Sequence, residues 1–171
     1  MSASIQRLLA ENLQPAPGRR GWHGGPTPLG ALRGVGADQA VWRPGLGRKC
    51  IWELALHIAY WKYAVRRRLE GAEGGRREER FPRSPSNWPS TPAEPDAAAW
   101  AADVQLLRDE HVRLVETVRR ISPAWLDRKP PGSRQWTYGE LIVGVAQHDA
   151  YHTGQMQLVK RLWQERTARG R

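Results

Sequence analysis

The sequence predicts an all-α protein: an antiparallel four-helix bundle with a long crossover connection between the second and third helices. Apolar residues recur at three- and four-residue spacings along four long segments, as on the inward faces of amphipathic helices. No segment shows the strict apolar–polar alternation of a half-buried strand. Because 171 residues is the size of one ordinary domain, we expect residues 1–171 to form a single helical domain.

The first helical segment is predicted from about Ser2 to Leu13, and Pro15 and Pro17 interrupt it. A further turn or two of helix is expected before Gly36. There, three apolar residues again share one face: Leu29, Leu32 and Val35. We interpret the two pieces as one broken arm of the bundle.

The second segment is predicted from roughly Arg48 to Leu69, and the glycines that follow, beginning with Gly71, are expected to end it. Residues 71–94 then form an irregular loop rich in proline and charge. A loop this long in a compact domain is either a functional cover or a mobile linker. Phe81 and Trp88 are candidates to hold it against the bundle, and a poorly ordered surface loop is the alternative.

The third segment is predicted from about Pro95 to Ile121, followed by a short helix that begins at Ser122 and Pro123. The fourth is predicted to begin at Thr137, which forms a capping box with Glu140, and to reach about Gln164. Its inward seam follows a four–three alternation typical of helical bundles: Leu141, Val145, His148, His152, Gln155, Val159 and Leu162.

Composition limits the location and the partners. No apolar run approaches the roughly 20 residues needed to span a bilayer, so no membrane association is expected. The N-terminus lacks the apolar stretch of a secretory signal. Cys50 is the only cysteine and is expected to be a small buried side chain, because it lies in an apolar helical pattern. These features predict a cytoplasmic protein.

The net charge of +10 invites a nucleic-acid interpretation, which the distribution of the charge disfavours. Of the 27 basic residues, 23 are arginine in a chain also rich in alanine, glycine and proline, a pattern that genome-wide base composition can produce. The charge is scattered over helix ends, loops and solvent-facing positions. No Ser-His-Asp arrangement, glycine-rich phosphate loop or paired-cysteine zinc motif is present in the sequence.

Three histidines on predicted inward faces indicate a metal site. His148 and His152 lie one turn apart on the fourth segment, so their side chains stack on one face. His57 lies on the inward face of the second segment. Neutral imidazoles bind zinc, nickel, iron and copper well, and three protein ligands leave a position for water or substrate. The alternative is that the pair belongs to an ordinary helix surface or is a hydrogen-bonded core pair.

Neighbouring polar residues receive separate predictions. Gln155 shares a face with His152 and is predicted to contact metal-bound water or a substrate. Glu53, four residues before His57, is expected to accept a hydrogen bond from that imidazole and orient it. Asp149 is expected to point sideways.

Two further histidines are assigned structural positions. His23 lies where the first arm breaks, either at the mouth of a pocket or, as the simpler interpretation, in a surface turn. His111 has charged neighbours and is predicted to be half-exposed and structural.

Several motifs then combine in one family pattern: Trp22-His23-Gly24, Trp42-Arg43-Pro44, the apolar helical turn from Ile51 to Ala59 that contains His57, Trp88-Pro89, Trp100, and the segment from Gln147 to Gln155. In these motifs the chain resembles the DinB-like superfamily of bacterial four-helix-bundle metalloproteins. The resemblance covers nearly the whole chain. It implies a divalent metal held by His57, His148 and His152, with water completing the coordination, and a homodimer.

The resemblance also implies classes of activity. Characterised members include thiol S-transferases that use bacillithiol or mycothiol, a mycothiol-dependent isomerase and proteins labelled as metal-dependent hydrolases. We therefore predict a site for zinc or nickel, with iron or manganese as further candidates, that activates a low-molecular-weight thiol or a water for reaction with a small-molecule substrate. The alternatives are a non-enzymatic metal-binding stress or interaction protein, and a weak nucleic-acid binder.

Overall fold

All regular structure in the described part of the chain is helical. A computed structural model describes residues 4–19, 21, 23–72 and 80–170. The helices are α1 (Ile5–Leu13), α2 (Pro28–Ala31), α3 (Ala37–Val41), α4 (Ile51–Ala72), α5 (Ala97–Arg120) and α6 (Tyr138–Arg169), with a 3₁₀ turn at Pro123–Trp125. The all-α prediction is confirmed. None of these helices is both long enough and apolar enough to cross a membrane.

Most predicted helix ends lie within a few residues of the observed ones, and local chemistry explains the exceptions. The predicted start at Ser2 lies outside the described residues. In the described part, α1 begins at Ile5 and the Ser4 hydroxyl caps it. Gly71 does not end α4, which includes that residue, and Gly74 and Gly75, the other glycines predicted to end it, lie outside the described residues. The capping box of Thr137 and Glu140 is confirmed at the start of α6. That helix passes the predicted end at Gln164, since the sequence has no breaker before Gly170.

The long helices pack in pairs around a shared interior. α4 packs against both α5 and α6, and α1 packs against the same two helices from its own side. The short helices α2 and α3 lie at one end, where α2 contacts α5 and α6 and α3 contacts α4 and α5. The helices α4 and α6, which carry the three histidines predicted as metal ligands, are therefore direct neighbours.

Two apolar clusters fill the interior. The first apolar cluster joins α2, α3 and the N-terminal half of α4 to Trp100, Leu107, Met156 and Val159. The second apolar cluster joins α1 and the C-terminal half of α4 to residues between 114 and 121, at the C-terminal end of α5, and to residues between 138 and 145 of α6. Each is a contiguous region of buried side chains that stabilises the fold by removal of apolar surface from water.

A polar layer lies between the two apolar clusters along α5 and α6. Its members are all buried: His57, Lys62, Arg66, Glu110, His111, Asp149, His152 and Thr153. Buried charged groups are rare unless they are paired, because leaving water is costly for them. The interior of the bundle is therefore apolar toward both ends and polar in between, at the level of His57 and Lys62 of α4 and Asp149 and His152 of α6.

The inward face of α6 differs from the predicted seam. Its buried residues follow their own four–three alternation: Tyr138, Ile142, Val145, Asp149, His152, Met156 and Val159. Three of the predicted positions are among them, and the other predicted positions are half-buried at the edge of the face. The prediction that Asp149 points sideways is wrong, because a charged residue occupies a core position that the apolar pattern discounts.

The described half of the predicted loop packs against the bundle. The Phe81 ring lies 5.6 Å from that of Tyr60 and 5.4 Å from that of Tyr63. Arg83 donates to Asp103 over 2.9 Å. Residues 80–94 therefore do not form a free surface loop, whereas residues 73–79 lie outside the described part of the chain.

Candidate metal centre

The three predicted ligands meet between α4 and α6. One ligand atom from each of His57, His148 and His152 lies within 4.8 Å of the others. The Nε2 atoms of His57 and His148 are 3.1 Å apart. His57 is 5% exposed and His152 7% exposed, whereas His148 is half-buried. The convergence that the sequence predicted is present, and metal ligation by these residues stays a prediction.

Hydrogen bonds from Nδ1 fix the orientation of two of the three imidazole rings, those of His57 and His152. The Nδ1 of His57 lies 2.6 Å from the carbonyl oxygen of Asn87, which can only accept, so that nitrogen carries the proton. The Nδ1 of His152 lies 2.6 Å from Oε1 of Gln155 and donates to it. In both rings the Nε2 lone pair is left free to bind a cation, which is the usual arrangement around histidine ligands.

The contact between His148 and His57 supplies the test of whether the site fits a cation. Among the described residues the buried Nδ1 of His148 has no hydrogen-bond partner, so that atom does not decide which of its ring nitrogens carries the proton. Two Nε2 lone pairs 3.1 Å apart repel unless a positive group lies between them. A hydrogen bond between the two rings would satisfy one of these lone pairs, whereas a divalent ion would satisfy both, so the residues fit a metal held by three imidazoles.

Burial keeps the imidazoles neutral, which is the form that binds metal. Desolvation is the largest influence on all three histidines, and it lowers the pKa of His57 and His152. In His148, burial together with positive charge on His152, His57 and Lys62 lowers the pKa to about 3. All three lone pairs are therefore available at neutral pH.

Aromatic side chains and residues of the loop 80–94 line the site. The Trp88 ring stacks on His57, with centroids 3.7 Å apart and planes 6° from parallel. Lys49 Nζ lies over the Trp88 ring, 4.5 Å from its centroid. Trp61 lies against His148, with centroids 5.8 Å apart. Because Asn87 and Trp88 both contact His57, residues 80–94 act as a cover over this ligand.

The acceptor predicted for His57 is wrong. Glu53 does not contact that imidazole: its carboxylate accepts from Lys49 Nζ and from the backbone N–H of Cys50, and it pairs with Arg43. The carbonyl of Asn87 takes the predicted role. A backbone oxygen thirty residues away leaves no signal in the sequence, so pattern reasoning had no means of finding it.

An ion pair beside the ligands was also missed. Lys62 on α4 donates to Oδ2 of Asp149 on α6, and the two residues are 0% and 5% exposed. Asp149 lies between His148 and His152 in sequence. Burial raises the pKa of its carboxyl, and the charge and hydrogen bond of Lys62 oppose that increase. The regular spacing of Asp149 within the inward face of α6 was the available signal.

The other histidines lie outside the ligand cluster. The prediction that His111 is half-exposed is wrong: it is 5% exposed, and burial, followed by the charge of Lys62, lowers its pKa to about 3. His23 is exposed in a turn, where its Nδ1 accepts from Gly25 N over 3.1 Å. It borders a small cavity of about 330 Å³ beside Gly154. Trp22, one of the motif residues, lies outside the described residues.

A groove leads from the surface to the least buried ligand. Its volume is about 1010 Å³, and it runs between α1, α4, α6 and the segment before α6 as far as His148. Most of its walls are apolar, and its larger apolar residues include Ile5, Trp61, Val65, Leu126 and Trp136. Sites of this size and character are typical of small-molecule binding.

Comparison with known proteins gives a family. No curated protein matches the chain, and no solved structure matches it. The family model described as the DinB superfamily matches residues 5–156, a span that contains His57, His148 and His152. The described helices and the histidine cluster both agree with the family expected from the sequence motifs. The chain belongs to the DinB superfamily.

Proposed function

We propose that the chain is a metal-dependent enzyme in which His57, His148 and His152 hold one divalent cation, zinc or nickel. One observation carries this proposal: the Nδ1 atoms of His57 and His152 each donate to an oxygen 2.6 Å away, which leaves both Nε2 lone pairs free in a cluster where one ligand atom of each histidine lies within 4.8 Å of the others. A divalent cation held by three neutral imidazoles is a strong Lewis acid that favours the ionised form of a bound thiol or water.

The groove favours catalysis over a purely structural metal. A structural zinc site is usually closed by four protein ligands, whereas here the three histidines leave a position open and His148 borders the groove. We propose that a small-molecule substrate with an apolar body enters by this route, with a low-molecular-weight thiol or water as the second reactant. Transfer to a thiol and hydrolysis are distinguished by whether turnover requires added thiol.

The surrounding residues have separate roles in this proposal. Asn87 and Gln155 orient the ligand rings, and Trp88 excludes water from one face of His57. The Oε1 atom of Gln155 is engaged by His152, so its amide nitrogen is the group proposed to contact a metal-bound water or substrate. Dimer formation and a cytoplasmic location stay predictions.

We propose the crossover topology as part of the same assignment. Side-chain contacts between α4 and α5 advance together along both helices, from Trp52–Asp103 to Arg66–Glu110, which supports a parallel pair joined by a long connection. Contacts between α4 and α6 advance in opposite directions, which supports an antiparallel pair. Both features are expected of a four-helix bundle with a crossover.

Metal quantification on protein purified without an affinity tag tests the centre. We expect close to one zinc or nickel ion per chain, and loss of that ion in His152→Ala. Full metal occupancy in the His152→Ala variant would overturn the proposal. A screen of electrophiles with and without added thiols, and of esters and amides without thiol, then tests the activity.

A matched pair of glycine variants tests the groove. Gly144 lines the groove and Gly154 lines the small outer cavity, and a Cβ at either position meets no atom within 4 Å. Gly144→Leu should reduce turnover by raising the KM while metal content is unchanged. Gly154→Leu, on the same helix, should leave turnover unchanged. Equal effects of the two substitutions would exclude the groove as the route of entry.

A further inference from the structure

The buried pair of Lys62 and Asp149 joins the same two helices that carry the proposed ligands. Lys62 lies five residues after His57 on α4, which is about 7.5 Å along the helix axis. Asp149 lies one residue after His148 and three before His152 on α6. The pair is therefore a direct polar connection between α4 and α6 next to the histidine cluster.

Stability alone does not explain this pair. Its members are 0% and 5% exposed, and buried ion pairs are often no more stabilising than apolar side chains of similar volume. The pair is also incompletely satisfied, because Oδ1 of Asp149 is buried and has no hydrogen-bond partner within the described part of the chain; the same holds for the hydroxyl of Thr153, one turn further along α6. Burial of unsatisfied polar atoms opposes folding.

A buried polar pair can instead specify the register of two helices. A shift of α4 along α6 by one turn, about 5.4 Å, would leave both charges buried and unpaired. The same shift would separate His57 from the ligands on α6. Apolar contacts in the two clusters penalise such a shift less sharply, because the hydrophobic effect is not directional.

The buried ion pairs of the polar layer join different pairs of helices. Lys62 on α4 donates to Asp149 on α6, whereas Glu110, another buried carboxylate of the layer, lies on α5 and pairs with Arg66. The contact between Lys62 and Asp149 therefore relates α4 to α6 specifically.

We propose that Lys62 and Asp149 are positioning residues for the metal centre: their buried ion pair fixes the register at which His57 meets His148 and His152. The proposal rests on the metal centre proposed above. It assigns the pair no contact with substrate and no part in proton transfer.

A double variant tests the pair, and the chain offers a matched control. Lys62→Met with Asp149→Leu removes both charges at similar volume. The control is Arg66→Met with Glu110→Leu, which removes the buried pair one turn further along α4. That pair joins α4 to α5, and α5 carries none of the three histidines of the proposed centre. Both doubles are compared with the wild type under conditions in which circular dichroism shows each fully folded.

Cobalt(II) is the probe, because its d–d absorption reports the coordination geometry independently of activity. In Lys62→Met/Asp149→Leu we expect altered d–d bands and a cobalt affinity lower by about 10–100-fold, the range for residues that orient ligands. In the control we expect wild-type bands and an affinity within about threefold, since distant sites act independently. If the first double does not fold, Asp149→Asn, which keeps an acceptor for Lys62, should give the same changes to a smaller extent.

The outcomes separate this proposal from the metal centre itself. Unchanged bands and affinity in Lys62→Met/Asp149→Leu would overturn the positioning role while leaving the centre intact. Equal losses in both doubles would also overturn it, because general destabilisation would then explain them. A wild-type chain that binds no cobalt would overturn the metal centre and the positioning role together.

Discussion

The polar layer and the second apolar cluster both contain deeply buried side chains of α4, α5 and α6, but the chemistry of these side chains is opposite. In the second apolar cluster, Leu114 and Ile142 are 0% and 1% exposed, and burial of such side chains contributes about 1.5–3 kcal/mol each. In the polar layer Lys62 and Asp149 are as deeply buried, although their removal from water opposes folding. The difference teaches that burial in one region stabilises the fold, whereas in the other it arranges a site.

The largest expected effect comes from replacing a ligand. His57→Leu should weaken zinc binding by about 2.5–4 kcal/mol, since structural zinc binding of about 10–16 kcal/mol is shared among four ligands. The free energy of unfolding of the metal-free protein should change by only about 1 kcal/mol, because leucine fills a volume similar to that of histidine. Competition with a chromogenic chelator and urea unfolding with excess chelator measure the two quantities. A large loss of stability in the metal-free variant, together with an unchanged zinc affinity, would contradict the account, because His57 would then stabilise the fold and not bind the metal.

The opposite signature is expected in the second apolar cluster. Leu114→Ala should lower the free energy of unfolding by about 3 kcal/mol, because it removes a fully buried side chain and leaves a cavity. The zinc affinity of the folded protein should be unchanged. Val112→Ala, on the same helix but 45% exposed before substitution, serves as the control and should cost less than about 0.5 kcal/mol. Similar losses in the two variants would mean that α5 does not pack as described.

A smaller, pH-dependent effect sharpens the comparison from within the polar layer. Burial and the charge of Lys62 lower the pKa of His111 to about 3, below the ordinary value of 6.5. Between these values the unfolded chain binds a proton that the folded chain does not. Stability from neutral His111 is therefore present above pH 6.5 and is lost as the pH falls toward about 3, by up to about 1.4 kcal/mol per pH unit.

His111→Gln measures this contribution directly. Urea unfolding of both proteins at a series of pH values should give curves that converge as the pH falls, because the variant has no imidazole to protonate. Parallel curves over the acidic range would show that His111 does not contribute to acid sensitivity.

Local patterns predicted most of the fold. The three- and four-residue spacings located α4, α5 and α6, and the capping box of Thr137 and Glu140 located the start of α6, because these signals act within one or two helical turns. The convergence of His57 with the pair on α6 was also predictable. All three ligands lie on or beside inward faces that the spacing defines.

What the sequence did not predict depends on contacts between distant residues. The carbonyl of Asn87 reaches His57 from a loop, and a backbone atom carries no residue-specific signal. Lys62 and Asp149 are 87 positions apart, and a charged residue on an otherwise apolar face is ordinarily assigned to solvent. The same assumption, that polar residues face solvent, explains why the predicted inward face of α6 left out Asp149 and why His111 was predicted to be half-exposed.

The central claim is that three imidazoles from two helices hold one cation. A crystal structure of the untagged protein, with anomalous diffraction recorded at the absorption edges of zinc and nickel, tests it most directly. We predict one anomalous peak per chain at about 2.0–2.1 Å from the Nε2 atoms of His57, His148 and His152. A peak bound elsewhere, or zinc-saturated crystals with no peak among these three rings, would contradict it.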